Sequence, residues 1–341
     1  MKKIFLIGLT AAAMLASCSN DETVEMAQQK AISFSNAFVN NGTRSIVDPS
    51  FTTTSLNDFA VYGFTQKGQI FNGEKVSKGG TAWSYDNVQY WVPGNTYTFG
   101  AIAPYSVAGN VSNVTLPTGA TKVGMEVAFT NTDTDQVDLL HAAPAQITGV
   151  TPTYTTPVSM TFNHQLSKVK FSFQNSVGVG YNVKVSNVKI TDAFKEGTLT
   201  VAATGNTWGG QTNKNLELNF GNVVADASTT EASVIAYAAT LESYNEKLMI
   251  PMGSSAIYTV TFTAELFKDN VSLGIYNHRV EIKNVEFKLG YCYNFKASLT
   301  HKNITGPDEL NPIKFNVTSV ENWNQTESNK DLNVPTTHSG I

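Results

Sequence analysis

Apolar and polar residues alternate along much of the chain, and a period of two predicts half-buried β-strands. In the clearest stretch one face carries Tyr258, Val260, Phe262, Ala264 and Leu266, with mostly threonine between them. Turn residues recur at the spacing of a β-sandwich, roughly every eight to twelve positions. No window of useful length has the i, i+3, i+4 pattern of an amphipathic helix. The sequence therefore predicts an all-β protein.

The alternation changes phase at two places. Val158, Met160, Phe162 and Leu166 share one parity, but the apolar positions after Ser167-Lys168 are odd-numbered. An unbroken register would turn the second apolar set towards water, so we predict a bulge or a break between two strands here. A second change of phase separates Ile282 from Val285 and has the same interpretation.

A stretch rich in Gly, Thr and Pro, Gly149 to Pro157, lies between two regions of alternating pattern. Proline fixes φ and removes a backbone donor, so this stretch is unfavourable for a strand and even less favourable for a helix. We interpret it as an interdomain linker. It divides the chain into an amino-terminal β-sandwich domain at 31–150 and a carboxyl-terminal one at 157–323, followed by a polar tail at 324–341.

The amino terminus has the layout of a signal peptide. Lys2 and Lys3 precede an apolar run from Ile4 to Leu15, which is too short to span a membrane. Small residues follow this run, as they do before a cleavage site. We therefore expect residues 1–17 to be a signal peptide that is removed from the mature protein.

The end of the predicted signal peptide, Leu15-Ala16-Ser17-Cys18, resembles the bacterial lipobox, in which the cysteine is acylated. Cys18 is therefore the predicted lipidation site and 18–30 a lipidated linker to the outer membrane, since Ser19 stands where an inner-membrane retention Asp would stand. More than one acyl chain makes such anchoring effectively stable. An ordinary secretory signal followed by a chance cysteine is the alternative.

Composition narrows the function. The chain has 23 basic and 27 acidic residues and no basic cluster, which argues against a nucleic-acid partner. Charged residues make up only 15% of the sequence, a share that fits a β-rich extracellular protein. The two cysteines are Cys18 and Cys292. If Cys18 carries lipid, no disulfide is expected, although the compartment is oxidising.

Three sets of short motifs resemble one family, the fimbrillin-like lipoproteins, or type V pilins. The first runs from Asp138-Leu139-Leu140 to the strand F-x-H-x-L-S-K-V-x-F at 162–171. The second is an aromatic block from Trp83 to Pro104, and the third is the carboxyl-terminal series from Tyr291 through Ile313 to Trp323. This resemblance implies two Greek-key or transthyretin-like β-sandwich domains in tandem. It also implies a structural subunit, or a tip or accessory component, of a pilus used in cell adhesion.

In that family a protease cuts after an arginine near the amino terminus, and the cut removes the lipid together with the first strand. The emptied groove then accepts a strand from the next pilin subunit. The resemblance therefore implies an outer-membrane, surface-exposed precursor that enters the pilus after maturation. Here Arg44, followed by Ser45, is the candidate site, because it lies in a polar stretch between the strand Ile32–Phe38 and the dense β region from Asp58. An ordinary surface-loop role for Arg44 remains open.

The sequence carries no sign of catalysis. The five histidines are scattered, and no metal-binding, nucleotide-binding or nucleophile-elbow motif occurs, so we expect no enzyme, no metal and no cofactor. His141 follows Asp138 by three residues, a spacing at which the two side chains could pair. His164 lies within an apolar strand, and a structural role is the simplest interpretation of both histidines.

A second function remains open, that of a surface glycan-binding lipoprotein in an outer-membrane nutrient-uptake system. Such a protein would also be β-rich and acylated. Aromatic rings in the block from Trp83 to Pro104 could form a platform that stacks on sugars. Because aromatic residues at strand spacing mostly fill cores, we interpret this block as core.

Overall fold

The computed structural model describes residues 30–39, 56–226, 228–253, 255–307 and 311–322. Strands dominate these ranges, which confirms the all-β class. The strands of the first half are β1 (Phe34–Val39), β2 (Asp58–Thr65), β3 (Gly68–Gly79), β4 (Ala82–Ser84), β5 (Tyr97–Ala103), β6 (Val111–Thr115), β7 (Gly124–Thr130), β8 (Leu140–Ala142) and β9 (Val158–His164).

The second half continues the series with short turns between strands. Its strands are β10 (Ser167–Asn175), β11 (Tyr181–Ala193), β12 (Glu196–Ala202), β13 (Gly205–Thr212), β14 (Leu216–Gly221), β15 (Val223–Val224), β16 (Val234–Ile235), β17 (Thr240–Ser243), β18 (Lys247–Met249), β19 (Tyr258–Lys268), β20 (Val271–Ile282), β21 (Tyr291–Leu299) and β22 (Phe315–Asn322). Among the described residues, the helices are a 3-10 turn at Tyr105–Asn110 and α1 at His301–Thr305. Among the described residues, no helix has the length and apolar character needed to cross a membrane.

A seven-stranded sheet forms the first half, in the order β1-β9-β8-β5-β2-β3-β4. One face carries an aromatic core that includes Phe59 and Phe99. The opposite face carries Ala60 and Ile102 and packs on a four-stranded sheet, β13-β12-β7-β6. Alternate residues of one strand thus enter different cores, which explains why the run Phe59–Phe64 is almost wholly apolar.

Two further sheets form the second half. One has the order β15-β17-β10-β21-β22, with β18 also paired to β10, and the other has the order β14-β11-β19-β20, with β16 paired to β11. The core between them takes Phe171 and Phe173 from β10, Val260 and Phe262 from β19, and Phe295 from β21. Each strand contributes alternate residues, as the sequence pattern predicts.

Both changes of phase are breaks between strands. β9 ends at His164 and β10 begins at Ser167, so Gln165 and Leu166 form the break. Leu166 packs in the core beneath the four-stranded sheet, whereas Val169 packs in the core of the second half. The second change of phase follows the end of β20 at Ile282. A change of core is therefore the physical reason for the slip at Ser167-Lys168.

Strand pairing crosses the predicted linker in two places. β9 lies beyond residue 157, yet it belongs to the seven-stranded sheet. The hairpin β12–β13 extends the four-stranded sheet by pairing with β7, where Leu199 lies opposite Val127. The division into separately folding domains at 31–150 and 157–323 stays a prediction, and a fragment can test it.

We predict that a fragment from Thr156 to Trp323 melts cooperatively, because the buried residues of the second-half core all lie between Val169 and Ile313. In this fragment the hairpin β12–β13 has lost β7. Leu199→Ala should therefore cost the full chain about 2–5 kcal/mol of unfolding free energy and cost the fragment less, because the fragment keeps only part of the core around Leu199. Urea unfolding of the four proteins measures this. A non-cooperative fragment would contradict independent folding of the second core, and an equal cost in both backgrounds would show that Leu199 does not depend on β7.

Candidate functional site

β1 lies at the edge of the seven-stranded sheet and runs parallel to its neighbour β9, with Phe34 opposite Val158. The other neighbouring strands of this sheet pair antiparallel. A bulge falls between Ser35 and Phe38. No tight turn joins β1 to β9, which is more than a hundred residues away in the sequence. No turn fixes β1 against β9, so non-covalent contacts keep it in its place in the sheet.

The backbone of the segment 30–39 is paired on two sides. On one side the Ile32 N–H donates to the Gln89 carbonyl at 2.7 Å, and the Trp91 N–H donates to the Lys30 carbonyl at 2.9 Å. On the other side the Val158 N–H donates to the Ser33 carbonyl at 2.8 Å. We call the space filled by residues 30–39 the strand groove, with walls formed by Gln89–Trp91 and by β9.

Two side chains of the segment are fully inserted. Ile32 is 1% exposed and Phe34 is 4% exposed. Burial of side chains of this size contributes about 1.5–3 kcal/mol each. The Phe34 ring meets its neighbours edge-on, at centroid distances of 5.6 Å to Tyr85, 5.8 Å to Phe71, 6.0 Å to Phe59 and 6.1 Å to Phe99. These rings form a pocket that accepts one aromatic side chain.

The wall at Gln89–Trp91 is itself anchored by aromatic residues. The Trp91 ring lies 4.7 Å from Tyr97 and 4.9 Å from Tyr154, measured between centroids. The Tyr85 hydroxyl donates to the Ile32 carbonyl at 2.6 Å. Burial is the main cause that raises the pKa of Tyr85, so this hydroxyl stays protonated at neutral pH. Tyr85 thus holds the inserted strand through its backbone, and this hydrogen bond does not depend on which side chain stands at position 32.

The aromatic block Trp83–Pro104 is mostly core, as expected. Trp91, Tyr97 and Phe99 are buried, and Tyr85 is half-buried. Of the rings in this block only Tyr90 is largely exposed, at 46%. A glycan platform needs several rings open to solvent, so the block offers little support for the glycan-binding alternative.

The predicted processing residues Cys18, Arg44 and Ser45 lie outside the described residues. In the sequence, Arg44 and Ser45 belong to the connection between Val39, the end of β1, and Leu56. A cut at this connection would separate the segment 30–39 from the rest of the sheet. The sequence predicts this strand but not its walls, because Gln89–Trp91 and β9 are brought together only by long-range pairing.

Asp138 pairs with His164 rather than with His141, the histidine that its spacing in the sequence would also allow. The Asp138 carboxylate contacts Nδ1 of His164 at 2.8 Å, because β8 and β9 pair with Leu140 opposite His164. The resemblance motifs D-L-L and F-x-H therefore meet across one strand pair. His164 is 1% exposed. The Asp138–His164 pair links the chain before the predicted linker to the strand after it, and this contact has a structural role.

His141 is buried at the contact with the β12–β13 hairpin. The Asn206 side-chain amide lies 3.1 Å from its Nδ1, which places the proton of the neutral ring on Nε2. Burial, and to a lesser extent the charge of Lys122, lowers the pKa of His141 to about 4. No group of three or more His, Cys, Asp or Glu side chains among the described residues could hold a metal ion.

These features define an all-β protein whose first strand closes a sheet that distant parts of the chain build. The family described as fimbrillin-like matches residues 43–323. The chain belongs to this fimbrillin-like family. Because the family is structural, membership agrees with the prediction that the chain is not an enzyme. The matched range begins just before Arg44, so β1 lies outside it.

Solved structures share the fold at low sequence identity. A fimbrial protein from Bacteroides vulgatus superposes with a TM-score of 0.61 and 15% identity, covering 86% of this chain and 99% of its own. A candidate cell adhesion protein from Parabacteroides distasonis gives a TM-score of 0.52 and 10% identity, covering 89% and 99%. No curated protein matches the chain. At these identities the similarity establishes the all-β fold.

We predict that His141 makes the fold sensitive to acid. Its pKa is near 6.5 in the unfolded chain and about 4 in the folded one, so between these values the unfolded state binds more protons. Stability is therefore full above pH 6.5 and falls by up to about 3 kcal/mol as the pH approaches 4. Urea unfolding at pH 7.5 and 4.5 should show a smaller loss for His141→Gln than for the parent. His301→Gln, at an exposed histidine, is the control, and an unchanged loss in His141→Gln would refute the prediction.

Proposed function

We propose that this chain is a subunit of a fimbria on the bacterial surface and acts in cell adhesion. Membership of the fimbrillin-like family supports this role, and the fold that the chain shares with a fimbrial protein is consistent with it. A shaft subunit and a tip or accessory subunit both fit. The polar tail at 324–341, with few apolar side chains to donate, favours a tip subunit.

The strand groove is the observation that carries the assembly mechanism. If residues 30–39 leave, β9 loses its parallel neighbour, and the pockets of Ile32 and Phe34 are open. An extended strand from a neighbouring subunit would restore the backbone hydrogen bonds and fill the pockets with alternate side chains, which is β-augmentation. The strand groove would therefore accept a strand from another subunit, and residues 30–39 would occupy the groove until that exchange takes place.

A cut after Arg44 would make this exchange possible. The sequence contains two arginines, Arg44 and Arg279. Arg279 lies within β20 and pairs with Thr261 of β19, so its backbone is held in a sheet, which disfavours proteolysis. An arginine-specific protease thus has one favourable target in the chain. The family match from residue 43 onwards fits a mature subunit that begins at Ser45.

The cut alone would not empty the groove, because Ile32 and Phe34 keep their contacts. What changes is the effective concentration of the inserted strand. A tethered strand rebinds at an effective concentration near the millimolar range, whereas a released strand is diluted into bulk solution. A competing strand on a neighbouring subunit then replaces it by mass action. The uncut precursor therefore stays monomeric, and assembly begins only after the cut.

Lipid on Cys18 would couple this switch to the membrane. The acylated residue precedes the segment 30–39, and the cut follows it, so lipid and placeholder strand leave as one peptide. Each buried methylene of an acyl chain contributes about 0.8 kcal/mol, which holds the precursor at the outer membrane until it is cut. Maturation would release the subunit from the membrane and open its groove in a single step.

We expect Cys18→Ala to abolish the incorporation of a labelled fatty acid and to leave the precursor unprocessed, because acylation requires the thiol. The measurement is labelling of growing cells followed by purification of the protein. Cys292→Ala is the matched control, since Cys292 is buried in the folded chain, and its labelling should equal that of the parent. Labelling of Cys18→Ala at the parental level would end this part of the proposal.

The exchange itself can be measured with the soluble protein that begins at Ser19. After treatment with an arginine-specific protease, Ser45 should be the new amino terminus. A labelled peptide of residues 30–39 should then bind, and the Phe34→Ala peptide should bind about a hundredfold more weakly or worse, because removal of a buried Phe costs about 3–5 kcal/mol.

The controls isolate the switch. Arg44→Ala protein, treated in the same way, should not take up the peptide, since its own strand stays tethered. A Ser35→Ala peptide should bind almost as well as the parent, because Ser35 is only half-buried. Equal uptake by cut parent and by Arg44→Ala would show that cleavage at this site is not the switch. Equal binding of all the peptides would show that the groove does not distinguish between peptides by their side chains.

A further inference from the structure

The strand that fills the groove is held unevenly along its length. Its first part, residues 30–34, contacts both walls of the strand groove. The Ile32 N–H donates to the wall at Gln89–Trp91 at 2.7 Å, and the Ser33 carbonyl accepts a hydrogen bond from β9 at 2.8 Å. Both fully inserted side chains, those of Ile32 and Phe34, also belong to this part. We call residues 30–34 the inserted part.

Residues 35–39 form the rest of the strand, which we call the trailing part. Among the described strands, β9 is the only partner of the trailing part, because β1 is the last strand of its sheet. A bulge interrupts this pairing after Ser35, and the pairing resumes with Phe38 opposite Thr161. A bulge leaves residues unpaired and locally disrupts the ladder. The described side chains here, Ser35 and Ala37, are only half-buried. The trailing part is therefore held more weakly than the inserted part.

The proposed cut lies next to the trailing part. Arg44 follows Val39, the last residue of β1, after a short stretch of chain. In the uncut chain the connection from Val39 to Leu56 keeps this end close to β9, so a trailing part that opens pairs again quickly. A cut after Arg44 would remove this connection and leave a free end. Segments with few buried contacts open at a lower free energy than the body of a sheet, so the trailing part would open first.

The alternative pathway, complete release of the strand before a replacement arrives, is the more costly one. It breaks the hydrogen bonds to both walls and exposes the pockets of Ile32 and Phe34 together. Opening the trailing part breaks only its pairing with β9. A replacement that pairs with the freed end of β9 would restore those backbone hydrogen bonds before the next ones are lost. Stepwise displacement therefore has a lower barrier than release followed by rebinding.

We propose that a replacement strand enters the groove at the Phe162 end of β9 and displaces the trailing part before the inserted part. This inference rests on the proposed function, because it gives the order of events within the exchange. A replacement that runs parallel to β9, as β1 does, pairs first through its carboxyl-terminal residues, and its two apolar side chains enter the pockets last. The residues that follow the apolar pair therefore set the rate of exchange, and the apolar pair sets the affinity.

Displacement kinetics test this order. The soluble protein that begins at Ser19 is cut after Arg44, loaded with a fluorescent peptide of residues 30–39 and mixed with an excess of an unlabelled competitor peptide. The fall in fluorescence anisotropy gives the rate of displacement, and dilution into buffer alone gives the rate of unaided release. The competitors are the parent peptide 30–39 and two matched truncations of equal length. Peptide 32–39 keeps the whole trailing part, whereas peptide 30–37 lacks the residues that pair beyond the bulge.

The parent peptide should displace the label faster than unaided release, at a rate that rises with its concentration, because it pairs before the bound strand has left. Peptide 32–39 should keep this dependence. Peptide 30–37 should be about tenfold slower at the same concentration, since the loss of one or two backbone hydrogen bonds weakens the first pairing by about that factor. Ile32→Ala in the parent peptide should leave the rate nearly unchanged but require a higher concentration for the same final displacement.

Two outcomes overturn the proposed order. A rate equal to that of unaided release with every competitor would show that the bound strand leaves completely before its replacement binds. Faster displacement by peptide 30–37 than by peptide 32–39 would show that the replacement enters at the opposite end of the groove. If the cut protein takes up no labelled peptide at all, strand exchange itself is refuted, and the order of its steps falls with it.

Discussion

The open edge of β9 is the constraint on which the rest of this structure depends. A buried strand needs partners for its backbone groups on both sides, and β8 supplies only one side. The chain meets this need with its own residues 30–39, which come from the far end of the sequence and also pair with Gln89–Trp91. A single cut in the connection between Val39 and Leu56 would detach this strand, and in the proposed exchange a strand from another chain would then complete the sheet.

The aromatic pocket gives that edge its selectivity. Backbone pairing alone would accept any extended strand, but Phe34 sits among four rings, and Ile32 is almost fully enclosed. In the proposed exchange, a replacement strand would therefore have to present large apolar side chains two residues apart. The same geometry ties the proposed cut to assembly. Under the proposed exchange, the tethered strand with its two inserted side chains would outcompete a foreign one, and the released strand would not.

Alternation was sufficient to predict the strands but not their partners. The buried rows Val158–Phe162 and Tyr258–Leu266 could be recognised because one face of each strand packs in a core. The pairing of β1 with β9, of β12 with β7 and of Asp138 with His164 depends on contacts between residues far apart in sequence, for which a local pattern contains no signal. For the same reason the predicted linker did not reveal that β9 belongs to the first sheet. Of the candidate site, the inserted strand was predictable, and its walls were not.

The central claim is that residues 30–39 hold a place that a neighbouring subunit takes over. The most direct measurement is a structure of assembled filaments, with the chain in the groove identified by its side chains. The account predicts a strand from a neighbouring subunit, parallel to β9, with apolar side chains in the pockets of Ile32 and Phe34 and with Ser45 as the first residue of the acceptor. Filaments in which each groove still holds residues 30–39 of its own chain would contradict it.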